Sequence, residues 1–125
     1  ARAQVEFGDA KTAHTQLQWV ADESKDPIVR DIARLRLAAL LLDEKSYDEA
    51  LKQLTAAPHD SLAPRYAELK GDVLATQGKK NEATAAYAAA IAALDKAPKQ
   101  EGAEELHTRY REMLQAKLDS LGGAK

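Results

Sequence analysis

The feature that most constrains this chain is that it repeats itself every 33 residues. Ala38 is matched by Gly71, Leu41 by Leu74, Glu49 by Glu82, Ala50 by Ala83, Leu54 by Tyr87 and Ala57 by Ala90. Six pairs of like chemistry at one interval are hard to obtain by chance, and a period in the low thirties marks a two-helix repeat. Such a unit cannot bury its faces alone, so the chain must stack its copies. The expected fold class is all-α: an antiparallel helix-pair solenoid with a C-terminal closing helix.

Local signals place the helices. Asp26-Pro27 supplies an N-cap followed by a proline at the first helical position, which predicts a helix from 27 to about Asp43. Ser46 and Glu49 have the spacing of a capping box, so a second helix runs from there to about Ala56, before Pro58 stops it. Pro64 opens a third helix, and Gly78 is placed to end it in the left-handed conformation. The fourth runs from about Asn81 to Lys96, where Ala97-Pro98 halts it. Helices joined by such short turns pack antiparallel.

Ala38 and Ala50 in one copy, and Gly71 and Ala83 in the other, fall where the paired helices should cross. Small residues there let the backbones approach, and Leu41, Leu54, Leu74 and Tyr87 fill the surrounding space. A mid-helix glycine costs about 1 kcal/mol relative to alanine, so Gly71 implies a packing reason. The composition agrees: Ala, Leu, Glu and Lys abound, and aromatics make up 5%.

Before the two copies lies half of another. Gly8-Asp9 with Ala13, Leu17 and Val20 aligns with Gly78-Lys79, Ala83, Tyr87 and Ala90, making 9–23 the second helix of an earlier repeat whose first helix ends at Gln4 to Phe7. After the copies, Leu106, Tyr110, Met113, Leu114, Leu118 and Leu121 recur at three and four residues, giving one amphipathic closing helix ended by Gly122-Gly123. The 125 residues are thus expected to form one domain, with a partial repeat at 5–23, repeats at 27–57 and 62–96, and the closing helix at 104–121.

Several functions are disfavoured. A formal charge of −2, with 18 basic and 20 acidic residues intermixed, offers no field for nucleic acid. Without cysteine there is no disulfide or thiolate chemistry. His14, His59 and His107 share no ligand-like spacing, and Ser61 lacks the glycines of a nucleophile elbow, so neither a metal, a cofactor nor an enzyme activity is expected. No apolar run approaches the roughly 20 residues that span a bilayer. The chain opens with Ala1-Arg2 rather than Met, which suggests that a preceding segment was removed.

The motif residues resemble the tetratricopeptide repeat. Its pattern of a large residue, Leu and Gly/Ala, an aromatic or Leu, then Ala, an aromatic, Ala and Pro is met by Leu37-Ala38, Leu41, Ala50, Leu54 and Ala57, and by Gly71, Leu74, Ala83, Tyr87, Ala90 and a displaced Pro98. Arg34, Ala67 and Lys70 depart from it. The order of half repeat, two repeats and closing helix, with RDIARLRLAALLLDEKSYDEALKQL, YAELKGDVLATQGKKNEATAAYAAAI and MLQAKLDSL, is further similar to the periplasmic part of the YfgM-like ancillary subunits of the bacterial Sec translocon. Residues 5–121 take part, and Pro98 to Glu105 exceeds that pattern in length. The resemblance implies a single-pass inner-membrane protein with this domain in the periplasm. Its implied partners are the Sec translocon and a periplasmic chaperone of the prolyl-isomerase type, which it joins in assisting exported chains; it implies no catalysis, metal or cofactor.

Arrays of this kind bind proteins on the concave surface formed by the first helix of each pair. Counting from the matched alanines, that surface carries Ile32, Leu35, Ala39 and Leu42 in one copy and Arg65, Glu68, Asp72, Ala75 and Thr76 in the other. The first patch is apolar, and it reads either as an open peptide groove or as a face covered by neighbouring helices. The second is mixed, and with Arg65 as its only cation it does not suit a peptide's terminal carboxylate. Arg30, Arg34 and Arg36 are read as solvated surface, and Trp19 as packing at the edge of the half repeat. A homo-dimer through that half repeat, covering Phe7, Leu17 and Trp19, is the alternative partner, and a different envelope repeat adaptor the alternative role.

Overall fold

The computed structural model describes the backbone of residues 2–98 and 100–122, with side chains from Asp9 onward. The expectations for the Phe7 side chain and for Gly123 lie outside what is described. Among the described residues six α-helices form in order, α1 (Arg2–Glu23), α2 (Pro27–Asp43), α3 (Tyr47–Gln53), α4 (Ala63–Thr76), α5 (Lys80–Lys96) and α6 (Glu104–Gly122), with a 3-10 turn at Asp60–Leu62 before α4, and no strand occurs. They group into two compact units, the first ending at His59 and the second beginning at Asp60. Within the first, α2 packs against α1 and α3; within the second, α5 packs against α4 and α6.

The start of α2 is set by its cap. The Asp26 carboxylate accepts from the amides of Ile28 (2.9 Å) and Val29 (3.4 Å), with Pro27 in the first turn. The ends of α2 and α4 are copies of one another. Ser46 N donates to Leu41 O at 2.8 Å and Lys79 N to Leu74 O at 2.9 Å, while Lys45 N donates to Leu42 O and Gly78 N to Ala75 O. Every partner is shifted by the same 33 residues.

This shared geometry needs a left-handed residue at its centre. Gly78 supplies it at φ +80°, and in the first copy Lys45 adopts φ +64°. A Cβ in that region is strained, which glycine avoids. Lys45 is exposed and loses nothing by truncation. We therefore expect Lys45→Gly to stabilise the chain by about 0.5–1 kcal/mol, read as a rise in the urea midpoint at unchanged slope.

Buried residues follow the repeat. Leu37, Ala38, Ala50, Ala83 and Ala90 are completely buried, and Leu41, Leu54, Leu74 and Tyr87 are nearly so. The reason for Gly71 is direct: a Cβ added there would lie 2.6 Å from Cδ1 and Cε1 of the Tyr87 ring. The second copy pairs glycine with tyrosine where the first pairs Ala38 with Leu54.

Four local expectations are corrected. The capping box does not form, because Ser46 caps α3 without any side-chain hydrogen bond. Nor does α3 reach Ala56; it stops at Gln53, where Leu54 N turns back to Leu51 O and the Thr55 hydroxyl to Lys52 O at 2.8 Å. Ala57, just before Pro58 and biased away from helix, is consequently exposed, unlike its counterpart Ala90. At the N-terminus, α1 runs through Gly8 without the expected break; a lone glycine weakens a helix by only about 1 kcal/mol and does not end one.

The fourth correction concerns α6. Its buried stripe is narrower than the sequence suggested: Leu114 is fully buried and Tyr110, Leu118 and Leu121 half-buried, but Leu106 is 70% and Met113 40% exposed. Leu114 sits with Ala90, Ile91 and Leu94 of α5, and Ala67, Tyr110 and Leu118 flank them.

Candidate functional site

Among the described residues, a dense polar arrangement lies on the second unit, on the face of α4 bearing Arg65, Glu68 and Asp72. These residues fall at helical spacings of three and four, so their side chains share one stripe. From α6, Lys117 extends its ammonium to Glu68 Oε2 (2.8 Å) and to both Asp72 oxygens (3.0 and 3.1 Å). The Tyr110 hydroxyl donates to Glu68 Oε1 at 2.8 Å, and the Tyr87 hydroxyl of α5 donates to Asp72 Oδ1 at 2.6 Å. Arg65 lies 3.7 Å from Glu68 Oε1, and its guanidinium stacks 3.9 Å above the centre of the Tyr110 ring. Two carboxylates, two cations and two phenols are thus mutually satisfied. Such a network rigidifies the helices that carry it.

The network changes the acidity of its members. Burial first, and then the hydrogen bond to Asp72, push the Tyr87 phenol well above the ordinary tyrosine range. Tyr110 is raised in the same way, by burial and by Glu68, against a smaller lowering from Arg65. For Lys117 burial acts downward, but the hydrogen bonds and charges of Glu68 and Asp72 outweigh it and hold the ammonium above the usual lysine value.

All three shifts favour the protonated form in the folded chain, so their contribution is complete below the unfolded pKa values and fades as pH rises past them. Stability should therefore decline above about pH 10. In the double variant Tyr87→Phe/Tyr110→Phe that decline should be shallower, because of these three groups only Lys117 remains to titrate. Denaturant midpoints across alkaline pH check the slope.

The expected concave residues separate into two groups. Arg65, Glu68 and Asp72 are brought together, and they engage α6 and α5. Thr76 is exposed, its hydroxyl donating to Asp72 O on its own helix at 2.8 Å, and Ala75 is half-buried. In the first unit Ile32, Leu35 and Leu42 are half-buried along α2, and Ala39 is exposed.

Two readings are corrected here. Trp19 is 66% exposed and does not pack as core. Buried Ala21 defines the inward face of α1, and a residue two positions away projects to the opposite side. Arg34 is half-buried rather than solvated, pairing with Asp31 at 3.3 Å and reaching Ala21 O at 3.5 Å. Asp31, which the sequence reading missed, is itself buried and accepts the His59 amide at 2.8 Å, fastening the segment after α3. Its signal was faint: one acid three residues before an arginine on a helix.

Among the described residues, no group of three or more histidines, cysteines or acids stands where it could hold a metal ion. No described helix is long and apolar enough to cross a membrane. The arrangement joins helices and offers polar and apolar helix faces.

Two-helix units with small residues at the crossings, duplicated turns and a closing helix define a helix-pair repeat protein. A family model described as a tetratricopeptide repeat-like domain matches residues 1–123, and the chain belongs to that family. Within it the chain goes with the YfgM-like group. It is 39% identical over 109 residues to a protein of Neisseria gonorrhoeae (strain ATCC 700825 / FA 1090) named ancillary SecYEG translocon subunit, covering 87% of this chain and 47% of that one. It is 28% identical over 117 residues to the protein of the same name from Escherichia coli (strain K12), covering 94% and 52%. The chain therefore spans about half the length of the curated relatives it matches. No solved structure matches it significantly.

Proposed function

We propose that this chain is a non-catalytic protein-binding domain of an ancillary Sec translocon subunit. It holds the faces of α2 and α4 toward partner proteins on the periplasmic side of the inner membrane. There it assists exported chains together with a prolyl-isomerase-type chaperone. The observation that carries this reading is the 39% identity, sustained over 87% of the chain, to a protein named as such a subunit. The helix-pair framework supports it, since faces built this way recognise extended or helical segments without chemistry.

Photo-crosslinkers placed at Leu35 and Thr76, in the longer protein that carries this domain, should yield adducts with translocon subunits or with the chaperone in native inner membranes. Absence of both adducts counts against the reading. Leu35→Asp with Leu42→Asp separates the two views of the apolar α2 face. A fold retained by circular dichroism with lost adducts means that the face is a groove, whereas melting means that it is core.

A homo-oligomer is the second reading, and the exposed Trp19 favours it. Light scattering that finds a clean monomer at high micromolar concentration would remove it.

A further inference from the structure

We propose that α6 is a separately opening lid on the second unit, held shut against α4 by Lys117. The inference concerns motion within this unit and stands whichever partner the domain takes.

The apolar hold on α6 is narrow. One of its side chains, Leu114, is fully buried, while Leu106 and Met113 project outward. Its link to α5 includes Pro98 and Gly102, the latter at φ +84°, so the helix is joined through a turn rather than a continuous element. Against α5 it adds an exposed pair, Arg111 with Asp95 at 3.0 and 3.3 Å, and a 3.4 Å approach of His107 Nε2 to Leu94 O. Exposed pairs of that kind contribute little.

The reach to α4 is of another kind. An ammonium has three protons to donate, and Lys117 directs its Nζ at three carboxylate oxygens: one of Glu68 and both of Asp72. Tyr110 takes the remaining Glu68 oxygen. Among the described residues, the charged and titratable groups at this point are Glu68, Asp72 and Arg65 from α4, Tyr87 from α5, and Tyr110 with Lys117 on α6.

When α6 lifts, Glu68 loses both hydrogen bonds from that helix, and the Asp72 carboxylate loses Lys117 and keeps Tyr87. The α4–α5 hairpin, by contrast, keeps its own fastening, because the Tyr87 ring lies on Gly71 and its hydroxyl is on Asp72. Neither contact involves α6. The elements of a domain open in cooperative units according to what holds each, and here the hold divides between α5 and α6.

The test is native-state amide hydrogen exchange on the intact chain. In Lys117→Met, amides in 107–118 should exchange about tenfold faster or more, while those in 66–74 and 83–94 stay within about twofold of the parent. Lys117→Arg, which keeps the charge, should restore most of the protection. In the unmodified chain, raising NaCl from about 0.05 to about 0.5 M should speed exchange in α6 alone, which tests the idea even if Lys117→Met folds poorly. Unchanged α6 exchange overturns the proposal. So does equal acceleration in α4, α5 and α6, which would mean that the unit opens as one.

Discussion

Gly71→Ala should destabilise the chain by about 1–3 kcal/mol, although alanine is the better helix former by about 1 kcal/mol. The added methyl would stand 2.6 Å from two carbons of the Tyr87 ring. That ring cannot swing aside cheaply, because its hydroxyl is bonded to Asp72 at 2.6 Å and the residue is almost wholly buried. Overpacking therefore outweighs propensity. Adding Tyr87→Leu reproduces the pair that the first copy uses, Ala38 with Leu54, and should recover much of the loss. A double-mutant cycle by urea denaturation measures the coupling. Additive effects of the two changes would mean that the close approach is not what keeps glycine here.

The second large effect is expected at Leu114. This side chain is fully buried among Ala90, Ile91 and Leu94, and it is the one residue of α6 so placed. Leu114→Ala removes three carbons and leaves a space that the neighbouring alanine cannot fill, for a loss of about 2–5 kcal/mol. Met113→Ala, one position along and 40% exposed, should cost far less. Thermal unfolding followed by circular dichroism compares them. Equal losses would mean that the face of α6 turned to α5 is not the one described.

The sequence disclosed what is encoded locally or by repetition. Asp26-Pro27 announces α2 because the cap and the helix it starts are neighbours in the chain, and Gly78 announces the end of α4 because its conformation excludes most other residues. The 33-residue interval disclosed the buried alanines, since small residues at a helix crossing are required in every copy. Lys45 escaped notice for the converse reason: it adopts the glycine conformation without the glycine. The capping box shows the limit of a local motif, for Ser46 and Glu49 have the right spacing while Ser46 makes no such bond. In the polar site, Arg65, Glu68 and Asp72 were legible as one helical stripe. Lys117 was not, because it meets Asp72 across 45 residues and Glu68 across 49, a distance that no periodicity reports. Asp31 and the His59 amide, 28 residues apart, were hidden in the same way.

Trp19 is the chain's only tryptophan, and it stands two-thirds in solvent on the outer face of α1. Its indole already emits from water in the folded state, so unfolding should shift the emission little. A protein that covers α1 would move it to shorter wavelength. The domain thus carries its own optical reporter, one nearly silent to folding and responsive to occupancy of that face, and a titration with any candidate partner can be followed without attaching a label.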